Sequence, residues 1–178
     1  KKFELFKFAT MLKNSPDIGT GTVTMKNDPR VLPLGRFLRK TKINELPQLL
    51  NIFFGDMSVI GPRPLTSQAF ETYSDNTKCL IKKVRPGLSG IGSIVFRDEE
   101  EIMHGATGSI DFYENVIAPY KGELEEWFVS NKSLYIYFVA IFVTAWAVLI
   151  PSTKIVWRVF KDLPKPPNDL KQALNFTD

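Results

Sequence analysis

The stretch "GRFLRKTKINELPQLLNIFFGDMSVIGPRPL", residues 35–65, decides how the chain is read. Four cations, Arg36, Arg39, Lys40 and Lys42, lead up to a single carboxylate, Glu45, and an apolar run follows. Asn44 suits a helix N-cap, and Pro47 then falls in the first turn, where its missing N–H costs nothing. A cap at Thr41 would put Pro47 in a helix interior instead, at a cost of about 3 kcal/mol. The spacing predicts a helix beginning at Asn44, with Leu46, Leu49, Leu50 and Phe53 as its apolar face. Glu45 is then the first helical residue, where the helix dipole and the nearby cations favour its charge. Local physics alone accounts for a carboxylate there and leaves open whether it is also a reagent. Farther on, Gly55-Asp56 signals a turn, "MSVI" (57–60) a short buried strand, and Gly61-Pro62-Arg63-Pro64 a stiff loop. Prolines on either side pre-orient the Arg63 guanidinium, as two-point phosphate recognition requires, although an ordinary proline-rich turn would hold the same residues.

Upstream, "FELFKFATML" (3–12) reads as a strand or a short helix, and the polar loop after it holds one candidate strand, "VTM" (23–25). "VLPLGRFLRKT" (31–41) has helical spacing, with Pro33 in the first turn. Downstream, residues 65–83 read as an amphipathic helix ending in a basic cluster, Lys78, Lys82, Lys83 and Arg85. "RPGLSGIGSIVF" (85–96) reads as a Gly-rich turn running into a strand, with neither the Walker nor the dinucleotide glycine spacing. The acids at 98–101 suit a solvated helix start better than a metal cage, and His104 beside Gly105 suits a helix end. "APYKGELEEWFVSNKS" (118–133) is amphipathic and helical.

Residues 134–150 are 17 uncharged residues with five aromatics, at the short edge of the ~20 that a spanning helix needs. Beyond Pro151, Ile155, Val156, Val159 and Phe160 oppose Lys154, Arg158 and Lys161, the pattern of a helix lying in a membrane interface. Membrane contact is therefore expected over the alternative, a buried core helix followed by a surface one. The tail, 164–178, reads as an extended linker with a last weak helical turn.

The chain has 178 residues, the size of one domain with a real core. Its net charge of +4 suits anionic partners: phosphorylated small molecules, acidic lipid or nucleic acid. No nucleic-acid motif is present and the basic residues are not interleaved with aromatics along a groove pattern, so nucleic acid is set aside. A lone Cys79 excludes an internal disulfide and points to a reducing compartment, and a lone His104 excludes a multi-histidine metal site. The abrupt opening "KKFELFKFATM" carries no signal peptide and reads as the middle of a longer chain.

Taken in order, "FKFATM", the 35–65 block and "VRPGLSG" resemble the bacterial sugar transferase family, the monotopic polyprenyl-phosphate phosphoglycosyl transferases. The likeness spans roughly residues 3–95, with weaker correspondence at 127–134 and Thr144. It implies a mainly helical α+β fold with a few short strands, in a single membrane-associated (monotopic) domain. The divisions expected are a catalytic core over 1–130, apolar and amphipathic membrane-associated helices over 131–163, and a tail over 164–178. It further implies transfer of a sugar 1-phosphate from a UDP-sugar to polyprenyl (undecaprenyl) phosphate, releasing UMP, at the cytoplasmic face of the bacterial inner membrane. This would be the initiating step of surface glycan or glycoconjugate assembly, and the family's membrane anchor would lie upstream of Lys1.

Carried over residue by residue, the likeness places Asn44 and Glu45 at the catalytic position, Glu45 as the Mg2+ ligand, and Lys7, Arg36, Arg39, Lys40, Arg63, Pro64 and Arg85 against the substrate. The chemistry agrees, because attack on a diphosphate needs converging cations more than acid catalysis. Free N–H groups at the expected Asn44 helix start would add an anion site. Membrane lipid is a further expected partner, and the sequence leaves the oligomeric state open, a homodimer included. Several residues depart from the pattern. Asn44-Glu45 stands where the family has an Asp-Glu pair whose Asp is taken as nucleophile. Ala9 replaces a basic residue, "SGIGSIVFRDEE" replaces "TGxAQVNGR", and Tyr137 and Val139 stand for Asp and Lys. Glu45 could then be the nucleophile, Asn44 could be an inactivating change, or the chain could belong to a divergent subgroup. The number of departures favours the subgroup. A catalytically silent homologue that binds nucleotide sugar or lipid phosphate in an assembly complex is the alternative.

Overall fold

The computed structural model describes residues 2–19, 24, 27–103, 110–150 and 155–176. The expected strand at 23–25, His104, Pro151 and Lys154 fall wholly or partly outside them. The described chain is mainly helical with two short strands. Helix α1 spans Pro33–Lys40 with proline in its first turn, as the sequence indicates. A 3-10 turn, Ile43–Glu45, then precedes α2, Gln48–Phe53. Strand β1 is Ser58–Ile60, as expected from "MSVI".

Residues 65–83 are two helices rather than one, α3 Ser67–Glu71 and α4 Asp75–Ile81. The break comes at Ser74, whose hydroxyl caps α4 by accepting from the Thr77 N–H, while Tyr73 turns into the core. Strand β2, Gly87–Ser89, pairs in parallel with β1, Ser58 opposite Gly87 and Ile60 opposite Ser89. The strand expected late in 85–96 is helix α5, Ile91–Val95. Helix α6, Glu99–Ile102, follows.

The one-turn helix α7, Ile110–Phe112, widens into a π-helical turn over Tyr113–Ile117 and continues as α8, Ala118–Asn131. Pro119, without an N–H to give, sits just past that wide turn. Helix α8 is the centre of the core: Leu124, Tyr120 and Phe128 are buried, and so are Lys121 and Glu125.

Helix α9, Leu134–Leu149, packs on α5 and β1 through Ala140 and Val143. Tyr137 shares a hydrogen bond with Ser58 at 3.0 Å and Thr144 one with Ser89 at 2.9 Å, which ties α9 to both strands. No helix among the described residues is long and apolar enough to cross a membrane. The segment expected to lie in an interface forms α10, Ile155–Val159, but Val156 and Phe160 go into the core, because Trp127 stacks edge-on against Phe160. The tail is not an extended linker either. It forms α11, Asn168–Lys171, buries Leu163, Leu170 and Leu174, and receives hydrogen bonds from Tyr120 and Trp157 at Pro164 and Leu174. Leucines at 170 and 174 fill one stripe on the core, which fixes the tail.

Candidate active site

The helix expected to begin at Asn44 does form, as α2, but it begins at Gln48 after a 3-10 turn. Thr41 ends α1, Lys42 takes a left-handed conformation at φ 60°, and the chain passes through Asn44 in the 3-10 turn. Tight i→i−3 bonds carry it on: Leu46 to Ile43, Leu49 to Leu46 and Leu50 to Pro47. Pro47 therefore caps α2, with helical backbone angles, rather than lying in its first turn, because the chain reaches it through the tight 3-10 bonds instead of an α-helical turn. Asn44 is accordingly no N-cap. The Glu45 and Leu46 N–H groups are already bonded to Lys42 and Ile43, so the anion site expected at a helix start there is not formed. Glu45 is not at a first helical position, and its charge is sustained by side chains instead.

The packing of α2 is also reversed from a simple amphipathic reading. Gln48 and Asn51 are buried, while Leu46, Leu49, Leu50 and Phe53 face outward, Phe53 at 83% exposure. Asn51 acts as a staple: its Oδ1 accepts from the Phe6 N–H at 3.0 Å and its Nδ2 donates to the Glu4 carbonyl at 2.7 Å. The Phe8 N–H donates to the Asn44 carbonyl at 3.0 Å. With both neighbours pinned, Lys7 is delivered beside Glu45. Residues 3–12 are therefore neither helix nor regular strand but an extended segment, bridged once to the chain at Met11–Val31. Gly35 lets it cross α1, since a Cβ there would sit 2.1 Å from the Thr10 carbonyl oxygen.

Arg63 arrives from the other side. The Gly61 N–H donates to the Ser89 carbonyl at 2.9 Å and the Gly87 N–H to the Pro62 carbonyl at 2.8 Å, which fixes the turn after β1. From it the Arg63 guanidinium reaches Glu45 Oε1 at 3.0 Å, with Lys7 Nζ at 3.9 Å from the same oxygen. Burial alone would raise the Glu45 pKa, but Arg63, Lys7 and Lys42 outweigh it and hold the carboxylate ionised below its usual range. Lys7 moves the other way. Partial burial and the charge of Arg63 bring its ammonium down to about 8, against the pull of Glu45, although 37% of its side chain is exposed.

The constellation is thus Glu45, Arg63 and Lys7, with Arg39 and Lys42 close enough to depress Lys7. Arg39 also reaches the Met11 sulfur at 3.8 Å. Arg36 and Lys40 are exposed on α1, Arg85 is exposed before β2, and Pro64 is half-buried after Arg63. These four are not brought into contact with Glu45. Asn44 is buried, and its Oδ1 has no hydrogen-bond partner. A cavity of about 60 Å3 lies elsewhere, lined by Arg97, Trp157 and Leu174 among others.

No group of three or more His, Cys, Asp or Glu side chains that could hold a metal ion occurs among the described residues. Mg2+ asks for only one or two protein carboxylates when substrate phosphates and water complete its shell. Glu45, with the unpartnered amide oxygen of Asn44 next to it in the chain, fits that sparse demand. Sequence reasoning missed one support of the site: Asn51 looks like a helix-surface residue until its partners Glu4 and Phe6 are known.

An ionised carboxylate gripped by Arg63 and Lys7 thus sits on a mainly helical domain with a parallel strand pair. The bacterial sugar transferase family model matches residues 1–151, and the chain belongs to that family. It is 31% identical over 163 residues to an undecaprenyl-phosphate galactose phosphotransferase of Salmonella typhimurium, covering 84% of this chain and 31% of that protein. It is 30% identical over 163 residues to a UDP-galactose-lipid carrier transferase of Erwinia amylovora, again covering 84% of this chain and 31% of the relative. Over 91 residues it is 41% identical to a UDP-glucose:undecaprenyl-phosphate glucose-1-phosphate transferase of Klebsiella pneumoniae, covering 50% of this chain and 19% of that one. The chain therefore spans less than a third of the length of these relatives.

Proposed function

We propose that this chain is a phosphoglycosyl transferase that moves a sugar 1-phosphate from a UDP-sugar to polyprenyl (undecaprenyl) phosphate. The observation that carries the reading is the Glu45–Arg63–Lys7 constellation, set in a family whose relatives bear undecaprenyl-phosphate transferase names. A Glu45 oxygen attacks the sugar-bearing phosphorus, the bond to the uridylyl phosphate breaks, and its electron pair leaves with UMP. A polyprenyl phosphate oxygen then attacks the same phosphorus, which frees Glu45 and yields the polyprenyl-diphosphate sugar. Arg63 and Lys7 keep Glu45 ionised and meet the diphosphate charge. Mg2+, held by Glu45 and the substrate phosphates, supplies further charge neutralisation when bound.

Glu45 is preferred to Asn44 as nucleophile because an amide is neutral and a poor nucleophile, and the Asn44 oxygen is buried. The same substitution supports the second reading, a silent homologue that binds nucleotide sugar or lipid phosphate in an assembly complex.

The chain works at the cytoplasmic face of the bacterial inner membrane as a monotopic protein. Exposed apolar side chains support this: Leu34 and Phe37 on α1, Leu49, Leu50 and Phe53 on α2, and Leu134, Tyr135, Phe138, Phe142 and Leu149 on α9. Exposed Arg36 and Lys40 on α1 suit an anionic surface. Release of UMP from a panel of UDP-sugars, with undecaprenyl phosphate and Mg2+ in vesicles, tests the reading. Loss of release in Glu45→Gln supports the role given to Glu45, and unchanged release removes it.

A further inference from the structure

Glu125 takes no part in the chemistry just described, yet it sits directly behind the site. It lies on α8 at 3% exposure, and its Oε2 has no hydrogen-bond partner. Its carboxyl fits against the chain leaving β2: a Cβ on Gly92 would stand 2.6 Å from Oε1, and one on Gly90 3.8 Å from Oε2. That same chain touches the turn after β1, since a Cβ on Gly90 would lie 2.2 Å from the Gly61 carbonyl oxygen. Glu125 is therefore wedged where the exits of both strands meet.

The charged and titratable groups facing it come from three elements. Lys121 stands one turn earlier on α8, Tyr73 faces it from the segment between α3 and α4, and Arg63 presents its backbone N–H and, more distantly, its guanidinium. Lys121 is already engaged. Its Nζ donates to both Glu99 carboxylate oxygens at 2.7 and 2.8 Å and lies over the Phe96 and Tyr113 rings. The backbone bonds that hold the turn reach Gly61 and Pro62, and Glu125 meets the turn through Gly90, whose Cβ position lies against both the Glu125 carboxyl and the Gly61 carbonyl oxygen. A buried acid with an unpartnered oxygen disfavours folding, so its place here is not explained by stability.

We propose that Glu125 is a positioning residue for Arg63: its carboxyl braces the backbone of the Gly61–Pro64 turn against Gly90–Gly92, which keeps the guanidinium 3.0 Å from Glu45. The inference rests on the transferase reading for its importance, but its geometry concerns only this chain. The front of the turn grips Glu45 and its back rests on the Gly90–Gly92 segment that Glu125 supports, so a change at α8 is transmitted to the site through that segment. Burial raises the Glu125 pKa to about 7, so the carboxyl behind the turn changes charge near neutrality.

The test is 15N NMR of the Arg63 guanidinium, assigned by its loss in Arg63→Lys, from pH 5.5 to 8.5. A Lys7→Gln background removes the other group that titrates nearby. With Glu125 present, the signal should shift in one step centred near 7. Glu125→Gln should abolish the step and keep the signal at its ion-paired position, and Glu125→Ala should move it to that of a free arginine. The proposal is overturned if Glu125→Ala leaves the signal unmoved, or if the step survives in Glu125→Gln. Should the alanine variant not fold, Glu125→Ser takes its place, with the same shift expected and an unmoved signal overturning the proposal. None of these readouts uses turnover, so absence of UMP release would sink the transferase reading and leave this one to its own result.

Discussion

Replacing Glu125 with glutamine should change how stability depends on pH. The folded-state pKa is about 7 against an ordinary 4.5. Between those values the unfolded chain has released the proton that the folded chain keeps, so stability falls as pH rises through the window. Each unit is worth about 1.4 kcal/mol, which makes the full penalty above pH 7 on the order of 3 kcal/mol. Glutamine has nearly the same shape and no charge, so it removes that penalty. At pH 4.5 the two proteins should unfold together. At pH 8 Glu125→Gln should be the more stable, with a melting temperature higher by roughly 6–12 °C for a domain of this size. Urea or thermal unfolding at a series of pH values reads this directly, because the other titrating groups are shared and cancel in the difference. Parallel stability curves for the two proteins would show that Glu125 is not held protonated by burial, and the reasoning would fail.

Arg63→Ala removes a charged hydrogen bond worth about 1.5–3 kcal/mol, so UDP should bind roughly 10- to 100-fold more weakly by calorimetry; unchanged affinity would separate Arg63 from the anion site. Lys7 loses its charge near 8, so diphosphate affinity should fall as pH rises from 7 to 9, and Lys7→Gln should flatten that part of the profile. Gly35→Ala places a Cβ 2.1 Å from the Thr10 carbonyl oxygen and must displace backbone; a loss of at least 1–3 kcal/mol is expected in urea unfolding. Paired Leu50→Ser and Phe53→Ser changes, at side chains that are already exposed, should reduce flotation with anionic vesicles while leaving the circular dichroism spectrum unaltered.

Much of the local architecture is legible in the sequence. Pro33 marks the start of α1, "MSVI" yields β1, and the runs at 118–133 and 134–150 are helices. What the sequence withholds is which face of an element is covered. Leu46, Leu49, Leu50 and Phe53 do share a face, but Gln48 and Asn51 turn inward, because Asn51 satisfies backbone groups of Glu4 and Phe6 that lie far away in sequence. Residues 91–95 illustrate a second limit. A short apolar run does not by itself separate strand from helix, and it is the close approach of Gly90 to Gly61 that ends β2 and starts α5. The apolar face of 155–160 suits a membrane interface and the tail a linker, yet Val156, Phe160, Leu170 and Leu174 complete the core around Trp127 and Tyr120. At the site, the residue types are legible and their pairing is not. Four cations precede Glu45 in sequence, but Lys7 and Arg63, which reach its carboxylate, come from 38 residues before it and 18 after.

The most direct test of the proposed function is UMP release by the protein in vesicles, with undecaprenyl phosphate, Mg2+ and a panel of UDP-sugars, compared across the unchanged chain, Glu45→Gln and Asn44→Asp. The expected result is release by the unchanged chain with at least one sugar and its loss in Glu45→Gln. Release only in Asn44→Asp would contradict the role given to Glu45 and leave the unchanged chain as a binder of nucleotide sugar or lipid phosphate.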